Sequence, residues 1–239
     1  MTNDMWLALD TATEYASVAV GTAERVVLAR MVGARQHAAQ ILLVIDHVLQ
    51  TAGIQLEDVA GIVVGDGPGS FTGLRIGWAA AKGLAHERDL PLVAIPSLLG
   101  AAAASGETTG SVAACYDALR GQVFGAIYSV RPGRVETIVA PDLYTVSELA
   151  SRAPVRPVLA VGDGIEKYQA ELTRWIGRAA VPLSDLAPIA GTLLALASME
   201  GARRLLDDPA RAEPIYGRPA EAQAKWEARY GRPLPHSSR

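Results

Sequence analysis

Ile62-Val63-Val64-Gly65-Asp66-Gly67-Pro68-Gly69-Ser70-Phe71-Thr72-Gly73-Leu74-Arg75 reads as a buried strand, a glycine-rich turn and a helix start. A shorter version, Val158-Leu159-Ala160-Val161-Gly162-Asp163-Gly164, returns 97 residues later. Upstream of the first copy, Met5 to Asp10 is an apolar run ending in the turn Asp10-Thr11-Ala12-Thr13-Glu14. Upstream of the second, Val112 to Tyr116 ends in Asp117, 107 residues after Asp10, and in both copies an apolar strand restarts six residues past the Asp. Ala16–Val20 and Val26–Met31 complete a three-strand meander in the first copy; Val123–Tyr128 and Val135–Val139 complete it in the second. Strand-Asp-turn-strand and strand-Gly-Asp-Gly-helix thus occur twice in one order. That points to a duplicated βββαβα unit and an α/β fold.

The intervening segments fit. Gln36 to Ala52 has helical apolar spacing and stops at Gly53. Ser70 or Thr72 can cap a helix over roughly Gly73–Arg88, Leu92–Ile95 is a strand, and Thr145-Val146-Ser147-Glu148 is a capping box. Pro188 to Leu206 reads as a helix ended by Asp207-Asp208-Pro209. The spacing predicts an N-terminal lobe over 1–105, a C-terminal lobe over 106–190, and a helix and strand over 188–217 that pack back on the lobes. Residues 218–239 carry five Lys/Arg against two Glu and read as a basic, mobile tail.

The composition narrows the function classes. The chain has 239 residues, 50% hydrophobic and 20% charged, enough to build a core without staples. A net charge of −3 gives no global basic field for nucleic acid. One cysteine, Cys115, excludes an internal disulfide and reads as strand packing rather than a nucleophile. No His-x-x-x-His pair exists, and His37 and His47 fall off one helical face, so no metal is expected. His86 suits a helix C-terminus and needs no further role. The uncharged run Leu90–Gly106 is broken by Pro91, Pro96 and Gly100, short of a membrane span. Met1-Thr2-Asn3-Asp4 is unlike a signal peptide, so a cytoplasmic location is expected.

Two facing βββαβα units leave a cleft at the carboxyl ends of their strands, where α/β sheets bind ligands. The turn after Asp10 and the loop before the second helix could present N–H groups and hydroxyls to phosphate. The candidate phosphate or nucleotide residues are Asp10, Thr11, Gly67, Gly69, Ser70, Thr72 and Asp117. An ordinary hairpin turn and a tight strand-to-helix loop explain the same residues. The loop is no Walker A motif, since Leu74-Arg75 follow Gly73, and no nucleophile elbow, since Pro68 and Thr72 flank Ser70 at two residues.

The two N-terminal helices are apolar over a wide arc. Ile41, Leu42, Ile45 and Leu49 on the first, and Gly73, Gly77, Ala80, Ala81 and Leu84 on the second, are candidates for a protein interface, with His37 at its edge. Burial by the fold's own helices is the competing reading.

Several blocks resemble the TsaB (YeaZ) family: Asp10-Thr11-Ala12-Thr13, His37 with Leu42-Leu43-Val44-Ile45-Asp46, and Gly67-Pro68-Gly69-Ser70-Phe71-Thr72-Gly73-Leu74-Arg75-Ile76-Gly77. Ala81-Lys82-Gly83-Leu84-Ala85, Asp117-Ala118-Leu119-Arg120-Gly121-Gln122-Val123-Phe124 and Pro214-Ile215-Tyr216-Gly217-Arg218-Pro219 extend the match. The resemblance implies tandem RNase-H-like lobes of the actin/Hsp70/sugar-kinase ATPase type. It implies a catalytically silent subunit in the machinery that makes threonylcarbamoyladenosine at adenosine 37 of tRNA. Its implied partners are a TsaD homologue, met through the first two helices, a TsaE ATPase homologue, and itself when alone; tRNA is met only through the complex, with no membrane. No cofactor is required, and weak ATP or ADP binding is compatible. Ala12 stands where the kinase-type phosphate turn usually has Gly. A stand-alone ATP-dependent enzyme or a peptidase-like protein on the same fold is the alternative.

Overall fold

Alternation along the strands sorts the side chains into layers. In β1 (Met5–Asp10), Leu7 and Leu9 point to one face of the sheet and Ala8 to the other; in β4 (Val59–Gly65), Ile62 and Val64 oppose Val63. Every one of these residues is buried, so the central strands are apolar on both faces. The structure, a computed structural model, describes residues 4–33, 37–204, 206, 208–218 and 229–230, without the side chains of 37–39.

The first sheet has the order β3-β2-β1-β4-β5, with β2 (Ala16–Gly21), β3 (Val26–Val32) and β5 (Leu92–Ile95). β1, β2 and β3 pair antiparallel; β4 and β5 join in parallel. The second sheet, β10-β9-β6-β7-β8, repeats this topology with β6 (Ser111–Asp117), β7 (Val123–Arg131), β8 (Arg134–Tyr144), β9 (Leu159–Gly162) and β10 (Val181–Pro182). Asp10 and Asp117 end equivalent strands, and both Gly-Asp-Gly turns follow equivalent strands. The fold is the expected pair of RNase-H-like lobes. Each repeat runs further than βββαβα: a last strand and helix extend it to βββαβαβα.

α1 (His37–Ala52) and α2 (Phe71–Glu87) cover the outer face of the first sheet. α1 buries Ile41, Val44, Ile45, Val48 and Leu49, the i, i+3, i+4, i+7, i+8 stripe of an amphipathic helix. α4 (Val146–Arg152) and α5 (Ile165–Ile176) cover the outer face of the second sheet. α3 (Ser97–Ala104) and α6 (Ile189–Leu196) fill the space between the sheets; Leu98, Leu99, Leu193 and Leu194 join Ala8 and Val63 to Val112 and Ala126 in one core. α3 is apolar all round, as a helix sandwiched between two sheets must be.

The helix expected over Pro188–Leu206 is shorter than its composition suggests. It ends at Leu196, because the following backbone bonds elsewhere: Val135 donates to the Glu200 carbonyl, and Arg204 pairs antiparallel with Ala94 of β5. Beyond Arg218, only Arg229 and Tyr230 of the basic tail are described; the rest of that segment lies outside the described residues. Among the described residues, no helix is long and apolar enough to cross a membrane.

Candidate functional site

A cleft of about 1120 Å³ opens between the lobes at the carboxyl ends of their strands. The N-terminal lobe supplies Ala12, Thr13, Glu14, Gly69, Ser70 and Thr72. The C-terminal lobe supplies Asp117, Arg120, Gln122, Asp163, Glu166 and Lys167, and the end of the chain adds Tyr216 and Arg218. Of the seven residues expected to hold phosphate, the cleft thus gathers Gly69, Ser70, Thr72 and Asp117. Asp10, Thr11 and Gly67 do not line it.

The reason is internal bonding. The Thr11 hydroxyl donates to the Gly73 carbonyl at 2.7 Å. Asp10 is 1% exposed and accepts from the Ser97 hydroxyl at 2.5 Å and from the Ala12 N–H at 3.3 Å. The Gly67 N–H donates to Ser97 Oγ at 3.1 Å. In the loop, the Ser70 N–H donates to the Ala12 carbonyl at 2.6 Å, and Ser70 Oγ accepts from the Gly73 N–H at 3.2 Å as the N-cap of α2. A Cβ on Gly69 would meet the Ala12 carbonyl, one on Gly73 the Thr11 carbonyl, and one on Gly77 the Thr11 hydroxyl. The glycines let the loop and α2 lie directly on the end of β1. Their first use is this contact, whatever else the cleft holds.

The two Gly-Asp-Gly aspartates have diverged. Asp66 is fully buried and turned away from the cleft, held by Arg204 through Nε at 2.5 Å and a second guanidinium nitrogen at 2.9 Å. Burial pushes its carboxyl above the usual range, against the pull of Arg204. Asp163 lines the cleft and accepts from the Asp117 N–H at 2.9 Å. Burial first, then Asp117, Glu14 and Glu166, push Asp163 up to about 7, against the Asp117 N–H. Asp117 in turn pairs with Lys167 at 3.3 Å. The sequence pattern marked Asp163 as a repeat residue but not as a cleft residue.

The mouth on the C-terminal lobe is a tight turn. Leu119, Arg120 and Gly121 all sit in the left-handed region, at φ 61°, 53° and 82°. Asp117 Oδ1 accepts from the Leu119 N–H at 2.9 Å, and Gln122 closes the turn by donating to the Leu119 carbonyl at 3.0 Å. Lys167, Arg218 and Glu166 leave this wall mixed in charge, opposite Glu14 of the N-terminal lobe.

Burial also raises Asp10, to about 6, opposed by its bonds from Ser97 and Ala12. The folded chain therefore holds protons on Asp10 and Asp163 that an unfolded chain releases near pH 4. Their contribution is fully present below that pH and is lost as pH rises to about 7. Urea unfolding should show stability falling across that window. Asp10→Asn should remove the part below about pH 6; an unaltered slope would refute the assignment to Asp10.

The interface candidates divide differently from the expectation. Ile41, Ile45, Leu49 and Ala81 are core, at 4%, 4%, 6% and 0% exposed, because they pack on the first sheet. Gly73 and Gly77 face Thr11, so they are closed to any partner. Leu42 is 59% exposed, Ala80 and Leu84 are half-buried, and the His37 side chain lies outside the described residues. Pattern reading missed Leu43, at 65% exposed, and Ala79 and Gly83, both exposed on α2. α1 and α2 lie against each other, so these residues share one outer layer. Among the described residues, no group of three His, Cys, Asp or Glu is arranged to hold a metal ion.

A family model described as "TsaD: tRNA N6-adenosine threonylcarbamoyltransferase" matches residues 30–186. The chain is 39% identical over 124 residues to the tRNA threonylcarbamoyladenosine biosynthesis protein TsaB of Escherichia coli, a match spanning 51% of this chain and 54% of that protein. It is 31% identical to the TsaB of Haemophilus influenzae over 231 residues, 90% of this chain and 94% of that one. The solved structure of YeaZ from Pseudomonas aeruginosa superposes with a TM-score of 0.73 at 29% identity, covering 89% of this chain and 99% of that chain. Matched along nearly the whole Haemophilus relative and sharing the two-lobed YeaZ fold, the chain belongs to the TsaB family.

Proposed function

We propose that the chain takes part in forming threonylcarbamoyladenosine at adenosine 37 of tRNA as a non-catalytic subunit. In this reading it works in the cytoplasm beside a TsaD-type transferase and a TsaE-type ATPase, meets tRNA only through them, pairs with itself when alone, and requires no cofactor. The observation that carries the silent role is how the polar groups in and beneath the cleft are committed. The Thr11 and Ser70 side chains bond α2, Asp10 bonds Ser97, and Lys167 sits on Asp117. Among the described residues, no histidine lines the cleft to serve Ser70 as a base, which weighs against a peptidase. Weak ATP or ADP binding is compatible with a pocket of this size.

The partner role rests on the outer layer, where Leu42 and Leu43 stand in water beside the small residues of α2. The expected docking surface is Leu42, Leu43, Ile76, Ala79, Ala80 and Gly83. Leu43→Asp removes no core contact, so it should leave the unfolding curve within about 0.5 kcal/mol of the parent. It should weaken binding to the TsaD-type partner about 10²-fold, read by calorimetry or sedimentation. Unchanged binding would place the interface elsewhere. The decisive assay is tRNA modification by the partner proteins with and without this chain. Dependence on the chain supports the reading; ATP turnover or peptide cleavage by the chain alone would overturn it.

A further inference from the structure

The lobes share a continuous core on the α3–α6 side. The end of the chain adds a second bridge between them. Arg204 anchors that end: its guanidinium grips Asp66 and also donates to the Glu213 carbonyl at 2.8 Å. The Ile215 N–H then donates to the Asp66 carbonyl at 2.9 Å. Past this anchor, Tyr216 stacks on Phe71 of α2 with ring centroids 4.6 Å apart, and its hydroxyl accepts from Arg75 Nε at 3.2 Å. Arg218 crosses to the other lobe and donates to Gln122 Oε1 at 2.5 Å. Between them, Gly217 is threaded through the joint: a Cβ there would lie 2.7 Å from Phe124 of the C-terminal lobe and 2.7 Å from Pro68 of the N-terminal lobe. Its φ of 70° also belongs to glycine.

We infer that residues 213–218 form a releasable clasp across the mouth of the interlobe cleft, setting how far the lobes open, with the Arg204–Asp66 pair as its fixed end. The two ends differ in strength in the way a clasp requires. The anchor is a bidentate guanidinium on a fully buried carboxylate, backed by main-chain bonds. The free end holds the N-terminal lobe by one side-chain bond and one ring contact and the C-terminal lobe by one side-chain bond, interactions worth roughly 1 kcal/mol apiece. Opening of a packed joint on the scale of local, sub-global unfolding lies within that range. Tyr216 and Arg218 themselves line the cleft, so release of the clasp removes part of its wall. Arg75, which holds Tyr216, is exposed on α2, the helix that carries the open face.

The test is hydrogen exchange on the full chain. Gly217→Val wedges the joint and Tyr216→Ala empties the free end. Each should speed exchange at least 10-fold on both walls of the cleft, at 68–75 and at 117–124, while α3 and α6 keep the parent's protection. Tyr216→Phe keeps the stacking and should fall between Tyr216→Ala and the parent. Arg211→Ala breaks an exposed ion pair to Asp208 on the same segment and should leave both walls unchanged. Faster exchange confined to 213–218, or an equal rise through the whole chain including α3, would overturn the clasp.

Discussion

Arg204→Met is expected to destabilise the chain by about 3–5 kcal/mol, the range for removing one partner of a buried ion pair. Asp66 is 0% exposed and would be left with a buried charge offset by the Ile215 N–H but by no side chain among those that hold it now. For a chain of this length, that corresponds to a melting temperature lower by roughly 6–20 °C. The deficit should depend on pH with a definite sign. Burial already raises the Asp66 carboxyl, and Arg204 is the cation that opposes it among the described residues. The variant recovers stability when Asp66 takes up a proton, so the gap to the parent should be widest at pH 8 and narrow towards acid. Arg204→Met with Asp66→Leu replaces the pair by apolar groups and should be less harmful than Arg204→Met alone. A double variant as unstable as the sum of both singles would show that the pair is not coupled.

Gly73→Ala and Gly83→Ala should shift stability in opposite directions, although both put one methyl on α2. The new Cβ at position 73 meets the Thr11 carbonyl, backbone of a buried strand end that cannot move cheaply. A loss of about 3 kcal/mol is expected, near the upper end for overpacking. Position 83 has nothing within 4 Å of its Cβ, so only helix propensity acts, and Ala gains about 0.5–1 kcal/mol over Gly. Urea titrations of the two variants settle the signs. Gly77→Leu belongs with the first case: its Cβ would strike the Thr11 hydroxyl, so it should damage the fold before it damages any association. Gly83→Ala, by contrast, adds bulk to the open face. It should stabilise the isolated chain and weaken partner docking together, a combination that a purely structural glycine would not show.

The sequence carried the duplication because strand alternation and turn chemistry are local. Asp10 and Asp117, and the two Gly-Asp-Gly turns, could be matched before any contact was known, and they end equivalent strands in two sheets of identical order. It also carried α1 and α2, whose apolar stripes repeat at helical spacing. Apolar arc alone could not say which side of that stripe meets the sheet. Ile41 and Leu42 are neighbours of equal hydrophobicity, yet one is 4% exposed and the other 59%. α3 escaped the same reading, since Ser-Leu-Leu-Gly-Ala-Ala-Ala-Ala has no polar face for a period to show. The fate of the functional groups was decided by packing between distant segments. Gly73 and Gly77 are indistinguishable in sequence from a stripe made for another helix, and only the approach of Thr11 assigns them to the lobe's own interior. Asp66 and Asp163 stand in the same motif, yet Arg204, 138 residues beyond Asp66, draws one away into an ion pair while the other remains in the cleft. Periodicity and turn residues therefore determined the lobes. Which polar groups face the cleft, and which hold the two halves together, required partners far apart along the chain, because hydrogen bonds and ion pairs are made by proximity in space.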